Sequence, residues 1–142
     1  MLTGGVDVRE LTTADRDQTI ALWHAVGLTR PWNDPVADFD RAIASPVSTV
    51  LGAVDLGGVA ATVMVGHDGH RGWVYYLAAD PDRRRRGLGR QMMAAAEGWL
   101  REHGAVKLNL MVRSDNDGAV GFYERLGYTT DAVVVLSRRL VE

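Results

Sequence analysis

Residues 76–92 read Tyr76-Leu77-Ala78-Ala79-Asp80-Pro81-Asp82-Arg83-Arg84-Arg85-Arg86-Gly87-Leu88-Gly89-Arg90-Gln91-Met92. An apolar run ends at Ala79, Asp80-Pro81-Asp82 breaks it, and arginines lead to Gly87. From there Leu88, Met92, Ala95, Ala96, Trp99 and Leu100 trace one face of a helix that stops at Gly104. A glycine-bearing loop feeding a helix start exposes unpaired backbone N–H groups at the positive end of the helix dipole, and the missing Cβ atoms let an anion approach. Arg84, Arg85, Arg86, Gly87, Leu88, Gly89 and Arg90 are therefore a candidate phosphate cradle; the plainer alternative is a solvated basic loop ahead of an ordinary turn. Gly87-Leu88-Gly89-Arg90-Gln91-Met92 lacks the third glycine of G-x-G-x-x-G and no G-K-[ST] occurs, so the dinucleotide and P-loop fingerprints do not fit.

Upstream, residues 5–11 alternate as a half-buried strand. Thr12 with Asp15 three residues on is a capping-box start for a helix carrying Ile20, Leu22, Trp23 and Val26 and ending at Gly27. Thr29 to Asn33 has no period, and Asp34 as N-cap with Pro35 at the first helical position opens a second helix to about Ser45. Val47–Val54 and Val59–Val65 are β-branched runs joined by Asp55-Leu56-Gly57-Gly58, which predicts a hairpin, and 73–79 supplies a third antiparallel strand. Downstream of the decisive stretch, 106–112 alternate as a strand, Asn116 precedes a helix with Val120, Phe122, Tyr123 and Leu126, and Ala132–Leu136 forms a last strand. The order β-α-α-β-β-β-α-β-α-β is α/β in the mixed α+β sense, with a central, mostly antiparallel sheet.

A chain of 142 residues fits one domain, 1–142, and buries roughly two-thirds of its unfolded surface. Its apolar 46% and charged 24% are those of an ordinary globular protein. Sixteen basic against eighteen acidic residues, net charge -2, argue against broad nucleic-acid affinity, which needs a basic excess to displace counterions. The absence of cysteine excludes disulfides, thiolate nucleophiles and Cys-ligated zinc. His67-x-x-His70 has no third ligand spaced near it, so no metal is expected. With neither a secretory start nor an apolar run of about 18 residues, no membrane association is expected and the chain reads as cytoplasmic.

Arg84-x-x-Gly87-x-Gly89 after Leu77-Ala78-Ala79-Asp80-Pro81 resembles the acyl-CoA pyrophosphate motif of the GNAT superfamily of N-acetyltransferases. Asn116-x-x-Ala119-x-x-Phe122-Tyr123-Glu124-Arg125-Leu126-Gly127-Tyr128 resembles that family's later motif, and the element order is similar to its fold over essentially the whole chain. Pro31-Trp32-Asn33-Asp34 and Asp68-Gly69-His70-Arg71-Gly72-Trp73 are similar to stretches of a subgroup of small bacterial stand-alone members.

The resemblance implies a sheet splayed between 73–79 and 106–112, with Leu77, Ala78 and Ala79 pairing with the pantetheine arm of acetyl-CoA almost as an added strand. It implies the pyrophosphate on the cradle and Asn116 on the arm, though Asn116 also reads as an N-cap. Tyr123 then carries chemistry as the acid or hydrogen-bond donor for the leaving thiolate, against its alternative as a core ring beside Phe122 and Leu126. The acceptor is a primary amine of a small molecule, peptide or protein, attacking directly because no cysteine holds an acyl group.

Two departures from the family pattern stand out. Strand 73–79 has no acid, so a base acting through water, or bulk solvent, is expected in place of a direct carboxylate, with Asp34, Asp38, His24 and His70 as the candidate residues. Only 15 residues follow Gly127, which points to an open acceptor side or one completed by a second subunit in a homodimer. Trp32, Asn33, Asp34 and His70 are the candidate acceptor contacts. The rival reading is a non-catalytic acyl-CoA-binding or regulatory module of the same fold, and a nucleic-acid binder using Arg83 to Arg86 is a further one.

Overall fold

Thr12 caps the first helical segment as its sequence demands. In the computed structural model, which describes residues 5–141 but not the side chains of Arg84, Arg85 and Arg86, the Thr12 hydroxyl accepts from the Ala14 N–H and the Asp15 carboxylate accepts from the Thr12 N–H at 2.9 Å. A 3-10 turn Thr13–Asp15 then runs into α1, Arg16–Ala25, with Gly27 left-handed beyond it. The Asp34 carboxylate accepts from the Ala37 N–H at 3.1 Å and Pro35 occupies the first position of α2, Pro35–Ala44. Both starts satisfy backbone donors that a helix leaves orphaned.

The chain falls into two compact units, residues 1–111 and 112–142. In the first, β1 (Asp7–Glu10), β2 (Ser48–Asp55), β3 (Gly58–His67), β4 (Gly72–Ala79) and β5 (Leu108–Asn109) form a sheet in that order, antiparallel until the parallel β4–β5 pair. The core gathers Leu11, Leu22, Trp23, Phe39, Val50 and Ala78 under α1 and α2. A 3-10 helix, Pro81–Arg86, replaces the irregular arginine loop expected from sequence, and α3, Leu88–Glu102, buries Leu88, Met92, Met93, Ala96 and Leu100. Met93 joins the face read from the sequence, while Trp99 stays partly exposed and stacks on His103 at 3.7 Å.

Two strand expectations are corrected. The strand expected over 106–112 reduces to Leu108–Asn109, paired only as Gly72↔Leu108 and Trp73↔Asn109, with Val106 left exposed. The strand expected over Ala132–Leu136 does not form. Among the described residues, 112–141 contain α4, Asp117–Arg125, and no strand, so nothing there offers the N–H and C=O groups of Ala132–Leu136 a ladder. Val133, Val134, Val135 and Leu136 are exposed.

Arg9 forks onto both Asp15 oxygens at 2.9 and 3.1 Å, and this bond, aided by the Thr12 N–H, holds the Asp15 carboxyl below its usual range against the cost of burial. A carboxyl depressed by folding contributes stability above its unfolded pKa of about 3.9 that is lost as pH falls through the lower folded value. Asp15→Ala is expected to lower unfolding stability near neutral pH by about 1–2 kcal/mol, the cost of a lost cap and its ion pair. Denaturant titrations from pH 5 downward check this, and the stability of the variant should fall less steeply with acid than that of the wild type.

Candidate active site

The alternation of β4 changes phase along its length. The Gly72 N–H donates to Lys107 O at 2.8 Å, on the β5 side, whereas the Asp80 N–H donates to Ala60 O at 2.8 Å, on the β3 side. Residues of equal parity point the same way in a regular strand, so one extra residue lies between them. The register locates it: Met64 pairs with Tyr75 but Thr62 with Ala78, which sets Tyr76 and Leu77 together against Val63. Tyr76 takes φ +53°, the one left-handed value at a non-glycine residue among the described residues. Such a conformation costs an aromatic residue on the order of 1–3 kcal/mol and needs support. Beyond the bulge, the backbone groups of Leu77 and Ala79 face away from β3, along an edge where β5 pairs only with Gly72 and Trp73.

Three contacts supply the support. Trp23, fully buried, stacks on the Tyr76 ring at 3.9 Å between centroids and 11° between planes. Its Nε1–H donates to Thr62 Oγ1 at 2.9 Å, and the Thr62 hydroxyl donates to Tyr76 O at 3.0 Å. The Tyr76 hydroxyl donates to Asp38 Oδ2 at 2.7 Å, while Arg41 donates to Asp38 Oδ1 at 2.7 Å. Burial, then the Asp38 bond, pushes the Tyr76 phenol far above the ordinary tyrosine range.

Tyr76, Asp38 and Arg41 border a cavity of about 800 Å³ also lined by Asn33, Ser48 and Tyr75, among others. Of the acceptor contacts expected from sequence, Asn33 lines it. Asp34 is spent on its helix cap, and Trp32 is exposed on the same loop outside the lining. His70 sits in a turn organised by Asp68, whose carboxylate accepts from the Arg71 N–H at 2.7 Å, the His70 N–H at 2.8 Å and the Trp73 indole at 3.2 Å. Those bonds hold the Asp68 carboxyl low. His24 bonds Thr29 at 2.9 Å at the end of α1. Among the described residues no three His, Cys, Asp or Glu side chains come together as a metal site.

Farther along, Gly87 is left-handed at φ +68° with open space where a Cβ would stand. It heads α3 without a side-chain cap and with no acid in the first turn, so the N–H groups of Leu88, Gly89 and Arg90 keep no intrahelical partner. The arginines divide. Arg83 is held by Asp55 at 3.1 Å and Asp80 at 3.6 Å, Arg90 is exposed, and the side chains of Arg84, Arg85 and Arg86 lie outside the described residues.

In residues 112–142, Asn116 caps α4 by accepting from the Ala119 N–H at 3.0 Å. Tyr123 is partly buried, edge-on to Phe122 at 5.1 Å and to Tyr128 at 5.8 Å, and burial raises its phenol. From sequence, Tyr76 and Arg41 are not singled out, and Asp38 enters only as a candidate base, whereas all three line the cavity. The adjacent pair Tyr75-Tyr76, which breaks strand alternation, was the available signal.

The family model described as the acetyltransferase (GNAT) family matches residues 10–128. A protein named an acetyltransferase from Yersinia enterocolitica is 40% identical over 136 residues, 96% of each chain, and one from Sodalis glossinidius is 40% identical over 138 residues, 96% of this chain and 97% of its own. The chain belongs to the GNAT acetyltransferase family. Its fold is shared with the aminoglycoside N-acetyltransferase AAC(6')-Iy solved with CoA, at TM-score 0.82 and 15% identity over 99% of this chain and 100% of that one. It is shared also with glucosamine-6-phosphate N-acetyltransferase from Arabidopsis thaliana, at TM-score 0.74 and 18% identity over 96% and 99%. Among the described residues no helix is long and apolar enough to cross a membrane.

A phenol raised by folding contributes stability below the unfolded tyrosine pKa of about 10 that is lost as pH climbs past it. In an alkaline absorbance titration Tyr76 is expected to ionise last, and Tyr76→Phe to delete that last step. Ionisation of every tyrosine near pH about 10 with the fold intact would contradict a buried bond between Tyr76 and Asp38.

Proposed function

We propose that this protein transfers an acetyl group from acetyl-CoA to a primary amine within a ternary complex. The reading takes residues 1–142 as one domain, since the family match runs across both compact units. The observation that carries it is a succession along one stretch of chain: the outward-facing edge at Leu77 and Ala79, then the uncapped, glycine-led start of α3. Such an edge suits the amide-bearing pantetheine arm, laid along Leu77, Ala78 and Ala79 as an added strand. The N–H groups of Leu88, Gly89 and Arg90 suit the pyrophosphate, and Arg84, Arg85 and Arg86 add charge to the cradle. A neighbour of the same fold was solved in complex with CoA, which supports CoA as the carrier.

Acetyl-CoA supplies an activated acyl thioester. The cavity between α2 and β4 takes the amine, with Asn33 and Asp38 as its polar contacts; Asp38 still has lone pairs to offer beside its bonds from Tyr76 and Arg41. The neutral amine forms the N–C bond as the C–S bond breaks, and its surplus proton leaves through water to solvent. Tyr123 gives the leaving thiolate a proton and regains one from solvent, a role that fits a phenol kept neutral by burial. Asn116 serves the arm as well as its helix. The sequence holds no cysteine to carry the acyl group, so transfer is direct.

Tyr123→Phe keeps the ring and loses the hydroxyl, and kcat is expected to fall about 10²-fold with CoA affinity nearly unchanged. Gly89→Val should do the reverse at the cradle and weaken CoA binding in a folded protein. Free-thiol release over a panel of primary amines, beside CoA calorimetry, checks both. Full kcat in Tyr123→Phe, once chemistry limits turnover, would return that ring to a packing role.

A further inference from the structure

The phase change in β4 is what turns Leu77 and Ala79 outward. Without it the parity of Gly72 would continue, and Leu77 and Ala79 would direct their N–H and C=O groups at β3. The conformation that creates it sits on a tyrosine, where glycine would adopt φ +53° freely. A residue type that resists this conformation is nevertheless gripped on three sides: ring to Trp23, carbonyl to Thr62, hydroxyl to Asp38.

We propose that Tyr76 is a positioning residue, clamped by Trp23, Thr62 and Asp38 in a left-handed bulge that presents the Leu77–Ala79 edge to the acyl carrier and ties that edge to the wall of the amine cavity. The clamp joins two sites. Its backbone end sets the edge, and its hydroxyl end fixes Asp38, which lines the cavity together with Asn33 and Arg41. The inference rests on the reading of that edge as the site of acyl-CoA.

Glycine and alanine at position 76 separate positioning from packing. Packing alone predicts that Tyr76→Gly is at least as damaging as Tyr76→Ala, because both lose the ring and glycine loses more chain entropy on folding. Positioning predicts the opposite order, because only glycine takes the left-handed conformation without strain. By calorimetry with CoA itself, Tyr76→Gly is expected to bind within about three-fold of the wild type and Tyr76→Ala at least ten-fold more weakly. Equal weakening of the two, or an unaffected alanine variant, overturns the proposal.

Thr62→Val retains the shape and removes both the bond to the Tyr76 carbonyl and the acceptor of the Trp23 indole N–H, two links of the clamp, so it provides a test should the alanine variant fail to fold. A several-fold loss of CoA affinity with an unchanged circular dichroism spectrum supports the clamp, and wild-type affinity contradicts it. If the wild type binds no CoA, the functional reading fails and takes this inference with it. If the wild type binds and the variants do not differ from it, the clamp alone fails.

Discussion

One residue of slip in β4 organises the functional side of this molecule. A strand offers hydrogen-bonding groups alternately to its two neighbours, and a strand paired regularly on both edges has none to spare. Tyr76 shifts which residues serve which neighbour: β4 pairs with β3 on both sides of it and with β5 only at Gly72 and Trp73, and past it the groups of Leu77 and Ala79 lie on the edge away from β3. The conformation is unfavourable for an aromatic residue, and its neighbours over-determine it through a stacked indole, a hydroxyl bridge and a carboxylate. The buried Trp23, which from sequence alone reads as one of the apolar residues of the first helix, has a further part. It braces the bulge.

Much of the scaffold was legible because its signals are local. The Thr12–Asp15 box, the Asp34-Pro35 start, the Asp55–Gly58 turn and the apolar face of α3 each announce themselves within a few residues, and each appears where its chemistry demands. The bulge was not legible in that way. Its partners lie 38 residues away at Asp38 and 14 away at Thr62, and nothing in a single strand's composition reports a pairing phase. Ala132–Leu136 failed as a strand for a related reason: β-branched composition gives propensity, but a strand exists only where another offers it a ladder.

The candidate site shows the same division. The glycine-led start of α3 could be read from spacing, since the unpaired donors at a helix N-terminus are a property of the backbone. The arginines around it could not be sorted, because which guanidinium is committed to structure depends on distant carboxylates; Asp55 claims Arg83 from the end of β2. Asp34, Asp38 and His70 illustrate the matter for the acceptor side. One acid is used in a helix cap, one faces the cavity, and the imidazole belongs to a turn built by Asp68.

Hydrogen exchange of the backbone amides, measured with and without acetyl-CoA, tests the central claim most directly. The outward edge and the uncapped helix start predict that slowing concentrates at Leu77, Ala79, Leu88, Gly89 and Arg90, leaving the turn at 68–72 unaffected. Slowing confined to other segments, with those five amides exchanging as they do in the free protein, would contradict it.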